Sequence, residues 1–319
     1  MFKKFLAVLM AVMCGAISLS GGVAVPASAL QPGDVVMSLN PSERDLELEP
    51  GKTYTSSVKV TNIGRLAFDV KASVSPYYVS DDDYTPDFNS QSSYAKLHSW
   101  IKLEKDLYHL EPAASAEVKF TVTVPEDAVS GGQYAAIMLL SDSGEEDDSA
   151  VQVHGQLAAI IYGHIDGGEI IQQGELVSHE LPGFVFDRKL SITQTVKNTG
   201  NVDFRVRQTL TVRDFFSNRE VINADSIDEN GQLIGYNLAS VLPGTSRTGI
   251  LTWSNPPLLG LFNVTQEISF LDQSYEYNSL VLICPIWLLV IVIALIIALI
   301  VLIIFKIRSK KHSKAGEIY

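Results

Sequence analysis

The sequence predicts an all-β fold, two tandem β-sandwich domains followed by a single C-terminal transmembrane α-helix, on three observations. The first is texture. Thr55–Val60, Phe68–Val74, Glu117–Val124, Leu190–Val196, Phe204–Val212 and Thr248–Trp253 are rich in Val, Thr, Ile and Phe and alternate apolar with polar. Gly, Pro, Asn and Asp separate them, the pattern of half-buried strands. The second is repetition: VTNIGRLAFDV, from Val60, returns as VKNTGNVDFRV from Val196, 136 positions later. The third is Ile286 to Phe305, twenty residues without a charge. At about 1.5 Å per residue such a helix is about 30 Å long, one bilayer core.

In chain order, residues 1–29 read as a secretory signal peptide. Lys3 and Lys4 precede an apolar run from Phe5 to Leu19, and Ala27 to Ala29 spell ASA, so cleavage before Leu30 is expected. Met13 is too bulky to precede a lipoprotein cysteine at Cys14.

The first sandwich is expected over 30–165 and the second over 166–278, with the boundary in GHIDGG, Gly163 to Gly168. In the first copy a strand ends at Asn62, and Asn62 with Gly64 makes the turn, since both tolerate positive φ. Asn198 and Gly200 match them, and Phe68 and Val70 recur as Phe204 and Val206. A later block also recurs, HLEPAASAEVKFTVTVPEDAVSGGQYAAIML from His109 against SVLPGTSRTGILTWSNPPLLGLFNVTQEI from Ser240. Each has a Pro-led turn, a strand, a Pro loop, a Gly, an aromatic (Tyr134; Phe262) and a last strand. Units of a little over 100 residues suit immunoglobulin-like sandwiches. LPGTS, Leu242 to Ser246, resembles a sortase signal but ends in Ser and lies far from the membrane segment, so it reads as the repeat's turn.

The membrane segment is placed at 281–305, with Trp287 near its outer boundary, and 306–319 as a basic cytoplasmic tail. Five Lys or Arg residues between Lys306 and Lys314 keep that end inside, so the sandwiches are expected outside the cell membrane as a single-pass ectodomain. The chain's two cysteines, Cys14 and Cys284, leave the ectodomain none, so each sandwich must stand on its core without disulfides. That fits a bacterial surface. Leu30 to Leu280 carries 35 acidic and 17 basic residues, a net of −18. Such a surface repels nucleic acid and anionic polymers.

Pro50-Gly51, Asn62, WIKLE from Trp100, LEP from Leu110 and VPEDAVSGGQYAAI from Val124 to Ile137 resemble the N-terminal domain of the WxL-interacting proteins of Gram-positive bacteria. The layout of signal, two sandwiches, span and basic tail is similar too. The resemblance implies a first domain associated with peptidoglycan, a second with host surfaces, and WxL-domain proteins as partners. Where that family opens differently, this chain has NPSERDLELEPG.

Catalytic chemistry is not read here. There is no Gly-x-Ser-x-Gly elbow and no ectodomain cysteine, and His98, His109, His154, His164 and His179 are scattered without metal-ligand spacing. No metal and no cofactor are expected. SDDDYTPDFN (Ser80 to Asn89) and SDSGEEDDS (Ser141 to Ser149) lack the spacing of a calcium loop and read as solvated. The ligand-binding candidates are Tyr77, Tyr78, Tyr84, Phe88 and Tyr94, rings crowded into the polar insertion from Ser75 to Trp100, where a sugar or peptide could stack. Trp100 itself reads as core. The functional expectation is a non-catalytic surface adhesion or scaffold protein contacting peptidoglycan or another surface protein. The alternatives are an assembly or chaperone-like factor using strand addition, which an open edge in the first sandwich would support, and the ectodomain of a sensor complex.

Overall fold

The computed structural model describes residues 35–79, 84–142 and 155–315. The expected signal, Ser80 to Asp83, His154 and 143–149 of the second acidic stretch lie outside these. The first unit contains β1 (Met37–Asn40), β2 (Glu43–Leu48), β3 (Thr53–Asn62), β4 (Phe68–Pro76), β5 (Tyr78–Val79), β6 (Pro86–Asp87), β7 (Ile101–Leu103), β8 (Leu107–Leu110), β9 (Ser115–Thr123), β10 (Gly131–Asp142) and β11 (Gln156–Ile165). Its sheets run β1-β3-β9-β7 and β2-β11-β10-β4-β8, with β5 and β6 forming a separate ribbon. The second contains β12 (Gly174–Glu180), β13 (Phe184–Val185), β14 (Lys189–Asn198), β15 (Phe204–Asp214), β16 (Glu220–Ile222), β17 (Tyr236–Val241), β18 (Ser246–Ser254), β19 (Gly260–Phe270) and β20 (Gln273–Ile283). Its sheets run β12-β14-β18 and β13-β20-β19-β15-β16, with β17 beside β16 on β15. The six alternating segments are all strands, Val124 alone falling one residue past β9.

The two units share their wiring. Each opening strand changes sheet at a proline: β1 is antiparallel to β3, and past Pro41 β2 is parallel to β11. Likewise β12 is antiparallel to β14, and past Pro182 β13 is parallel to β20. Proline has no N–H to give a ladder, so it sits where a strand leaves one sheet.

The repeated Asn-x-Gly is the second shared device, and its reason differs from the one read in the sequence. None of Asn62, Gly64, Asn198 and Gly200 has positive φ. Each Asn is instead a buried hub. The Asn62 side-chain amide donates to Leu66 O at 2.8 Å and Leu110 O at 3.0 Å, and its oxygen accepts from Gly64 N at 2.8 Å. Asn198 does the same with Val202 O, Val241 O and Gly200 N, each at 2.8 Å. The backbones of both also bond the Pro-led turn, Asn62 to Ala113 and Ala114, Asn198 to Gly244 and Thr245. LPGTS is thus a turn, and its positive-φ residue is Gly244, matched by Ala113 in the first copy.

The first core is one apolar cluster built on Val58, Val60, Val118, Phe120, Ile137 and Ile161, with Asn62, Gln133 and Ser141 among the polar side chains buried in that unit. The second is divided. One cluster gathers around Trp253, Phe262 and Ile283, another around Phe204, Val241 and Phe270. The buried amides Gln194, Gln208 and Gln266 are also inside the second unit.

Strand β20 continues to Ile283, so 281–283, placed in the membrane segment by the sequence, are strand. Cys284 and Pro285 follow, then helix α1 (Ile286–Ala315), which extends into the basic tail. Ile286–Ile304 is long and apolar enough to cross a membrane, and none of it is buried against the sandwiches. Among the described residues the only other helix is a 3-10 turn, Lys96–Trp100.

Candidate functional site

Three features with binding potential emerge: the contact between the sandwiches, a cleft beside it, and an open sheet edge on the second unit. The contact is built on the outer face of β10 and β11, where Tyr134, Ala136, Met138 and Tyr162 are buried together with Tyr77, Val79 and Leu242. The Asp203 carboxylate accepts hydrogen bonds from Tyr134 Oη at 2.8 Å and His164 Nε2 at 3.0 Å, while Asp203 N donates to Tyr134 Oη at 3.1 Å. His164 Nδ1 also lies 3.1 Å from Glu47. The Asp203 bond, assisted by that second carboxylate, lifts the His164 imidazole to about 9 against the cost of burial. Burial pushes the Tyr134 and Tyr162 phenols well above the usual range.

Beside this pair, Gly132 N donates to Asn201 O at 2.7 Å. Gly131 must be glycine twice over: its φ is 123°, and a Cβ would stand 2.5 Å from Asn201 O. The GGQY of the first unit is therefore shaped for the second. Arg205 completes the row with an exposed ion pair to Asp45 at 3.0 Å.

The five candidate rings lie in this contact or against one another. Tyr77 is 6% exposed and the other four are half-buried. Tyr78 Oη donates to Pro243 O, and Tyr84 Oη accepts from Leu242 N. Arg247 stacks its guanidinium 4.2 Å from the Tyr84 ring centroid, a cation–π contact between the units. Burial raises the Tyr84 phenol strongly and that of Tyr78 to about 12. Tyr94 stacks on Tyr78 and Phe88 tilts against Tyr77, both at 6.0 Å. The insertion supplies rings as expected: Tyr77, Tyr78 and Tyr84 face the second sandwich, Phe88 packs on Tyr77, and Tyr94 stacks on Tyr78 and also lines a cleft beside the contact.

The sequence reading missed Asn201, Asp203 and Arg205, and a signal for them existed. They occupy the positions of Arg65, Ala67 and Asp69 in the first copy. What the repeats share is their fold; these three departures add docking contacts to those made by Leu242, Pro243 and Arg247.

A cleft of about 420 Å³ opens at the edge of the contact. Tyr94, Trp100, Lys96, Asp127, Gln133 and Asn201 are among its lining residues. Trp100, expected in the core, is half-buried: it packs on the first core and also faces this cleft.

The open edge is β18. In the first unit the equivalent strand, β9, is capped by β7, whereas the second sheet ends at β18. Among the described residues no strand pairs with the outer side of its nine residues. Two adjoining grooves of about 360 and 310 Å³ lie between β18 and the loop from Ile227 to Tyr236. Ile227, Leu233 and Ile250 stand there exposed. The first unit's outermost strands are short, from three to six residues, so the open edge lies in the second unit. Among the described residues no group of three or more His, Cys, Asp or Glu side chains is placed to hold a metal ion.

No protein-family model matches the chain, and no curated protein matches it. Among solved structures the chain is similar to the class 5 fimbriae chaperone CfaA at 13% identity and TM-score 0.39, covering 76% of this chain and 99% of that one. It is also similar to a Salmonella enterica SafA pilin–SafB chaperone complex at 12% identity and TM-score 0.39, covering 76% and 96%. The E. coli chaperone DraB matches at 11% identity and TM-score 0.36, covering 77% and 97%. These likenesses are low.

Proposed function

We propose that the chain is a non-catalytic, membrane-anchored surface protein whose second sandwich takes an extended segment of another surface protein by strand addition. The observation that carries this is the uncapped β18 beside a polar-lined groove in which Ile227, Leu233 and Ile250 stand exposed. A free edge offers a row of backbone donors and acceptors, and pockets beside it select alternate side chains of the incoming strand. The first sandwich, with its short edges, holds the second in place through the Tyr134–Asp203–His164 contact. The resemblance to WxL-interacting proteins makes a WxL-domain protein the first partner to try.

Replacing Ile250 with a photo-crosslinking benzoylphenylalanine in the full chain, in membranes of the producing cell, tests this. The expected result is a protein adduct whose linked peptide alternates apolar and polar residues. Adducts only with lipid, or none, would overturn it.

A second reading has its own observation. The cleft sets Trp100 and Tyr94 among polar groups, the lining a glycan stacks on. Co-sedimentation of the full chain, in detergent, with insoluble peptidoglycan should then fall several-fold on Trp100→Ala. Sedimentation unchanged by Trp100→Ala, or absent from the start, removes this reading and leaves the first untouched.

A further inference from the structure

The end of the second sandwich nearest α1 exposes apolar side chains that the sandwich itself does not need. Phe216 is 83% exposed, Phe184 64%, Leu259 59% and Leu258 55%, with Phe186 and Phe215 close to half. They come from three separate segments, yet the sheet register gathers them at one level. Val185 pairs with Ile283, the last residue of β20, and Gly260 pairs with the same residue from the other side. Cys284 N donates to Val185 O, and Phe215 N donates to Leu261 O. Only Cys284 and Pro285 separate Ile283 from the start of the apolar helix. Neighbouring strands lie about 5 Å apart, so these segments sit within roughly 5–15 Å of the start of α1.

A helix with no linker fixes where the membrane surface must be. If α1 crosses a bilayer from Ile286, the strand ends beside Ile283 cannot be far above its headgroups. Trp287, 58% exposed, marks the same level with a residue suited to that boundary. In or beside these loops Arg188, Lys189 and Arg219 stand exposed along with Asp187 and Glu220, so this end is close to neutral on a chain that is otherwise strongly acidic.

We propose that this end of the second sandwich is a membrane-docking collar, with Phe184, Phe186, Phe215, Phe216, Leu258 and Leu259 seated in the headgroup–acyl boundary of the bilayer that α1 crosses. This rests on α1 spanning the membrane. Exposed aromatic and leucine side chains on a surface that carries no strong negative charge are what seats a protein in the headgroup–acyl boundary. The collar holds the second sandwich to the membrane on several sides of the helix, so the open edge of β18 keeps one height and orientation over the cell.

The test uses the full chain with Cys14→Ser and Cys284→Ser, in nanodiscs of phosphatidylcholine and phosphatidylglycerol. Nitroxide labels are placed one at a time through Phe216→Cys, Leu258→Cys, Leu295→Cys in mid-helix, and Asp272→Cys at the far tip. Collision with oxygen and with a water-soluble nickel chelate reports depth. Labels at 216, 258 and 295 should favour oxygen, with nickel collisions several-fold below those at 272. Labels at 216 and 258 as open to nickel as 272, with 295 shielded, would sink the collar and leave the span standing. Nickel access at 295 would remove the span and the collar with it. Shielding of 216 and 258 from both reagents would mean contact with a second copy, and would also overturn the proposal.

Discussion

At the scale of single residues, Asn62 and Asn198 account for the repetition of the sequence. Each side chain closes three hydrogen bonds in a fully buried corner where two strands and a turn meet. Removing it leaves two carbonyls and an amide without partners and away from water. Asn62→Ala and Asn198→Ala should each cost about 2–4 kcal/mol, read as a lowered urea midpoint with an unchanged slope. A loss below about 1 kcal/mol would mean that the corner rehydrates. The turn below each hub offers a paired check, because Ala113 and Gly244 share a left-handed conformation, φ 64° and 73°. Ala113→Gly should be neutral or stabilising, and Gly244→Ala should destabilise by about 1 kcal/mol, since only Ala is strained there. The residues of these corners were visible in the sequence. Their work was not, because a side chain that fastens a turn and one that merely tolerates it leave the same Asn-x-Gly.

At the scale of strands, period-two alternation located the long elements well, because one buried face imposes it directly. It could say nothing about which face meets a second domain. Tyr134 and Tyr162 alternate as any strand residues do, and their outward face is buried only because another sandwich lies on it. Nor could it show the uncapped side of β18, since an edge is a fact about the neighbour that is not there. The alternation also hid the polar side chains inside the second sandwich. Gln266 Nε2 donates to Gln194 Oε1 at 2.9 Å, and Gln266 Oε1 meets His179 at 2.7 Å. Buried Gln208 Oε1, by contrast, has no hydrogen-bond partner among the described residues. Gln194→Met should therefore cost about 1–3 kcal/mol by stranding Gln266, while Gln208→Met, close in volume, should be neutral or stabilising. Gly249 leaves room for both: a Cβ there would lie 2.0 Å from Gln208 Nε2 and 2.2 Å from Gln194 Nε2. Calorimetry on the three variants checks the order, with Gly249→Ala unfolding well below the parent and Gln208→Met at or above it. Equal costs for Gln194→Met and Gln208→Met would show that the two amides are equivalent.

At the scale of the whole molecule, the sandwiches are joined by a contact whose imidazole, His164, titrates well below its phenols. His164 is held at about 9 by Asp203, chiefly through their hydrogen bond. Released from the contact, the imidazole loses the Asp203 bond and falls back toward about 6.5, with Glu47 on its own sandwich still holding it up. A pKa raised by docking means that the charged form is favoured in the docked state. Its contribution is complete below about pH 6.5 and is lost as pH rises through about 9. The Tyr134 and Tyr162 phenols, pushed up by burial, stay neutral across that window and add nothing to its slope. His109 is also raised, by its bond to Asp69, but it lies on the surface of the first sandwich. Asp203→Asn separates the two, since it removes the cause at His164 and leaves His109 as it was. The His164 side chain is 23% exposed, so solvent screens part of the pair and about 1–2 kcal/mol of docking is expected to vanish between pH 7 and 10. A spin-label distance between residues 126 and 272, one on each sandwich, should broaden over that range in the parent chain. In Asp203→Asn it should be broader at pH 7 and nearly independent of pH. A parent distance that stays sharp to pH 10 would place the strength of the joint in the tyrosines and Leu242 alone. The orientation of the β18 edge would then be fixed by apolar packing, with no part for charge.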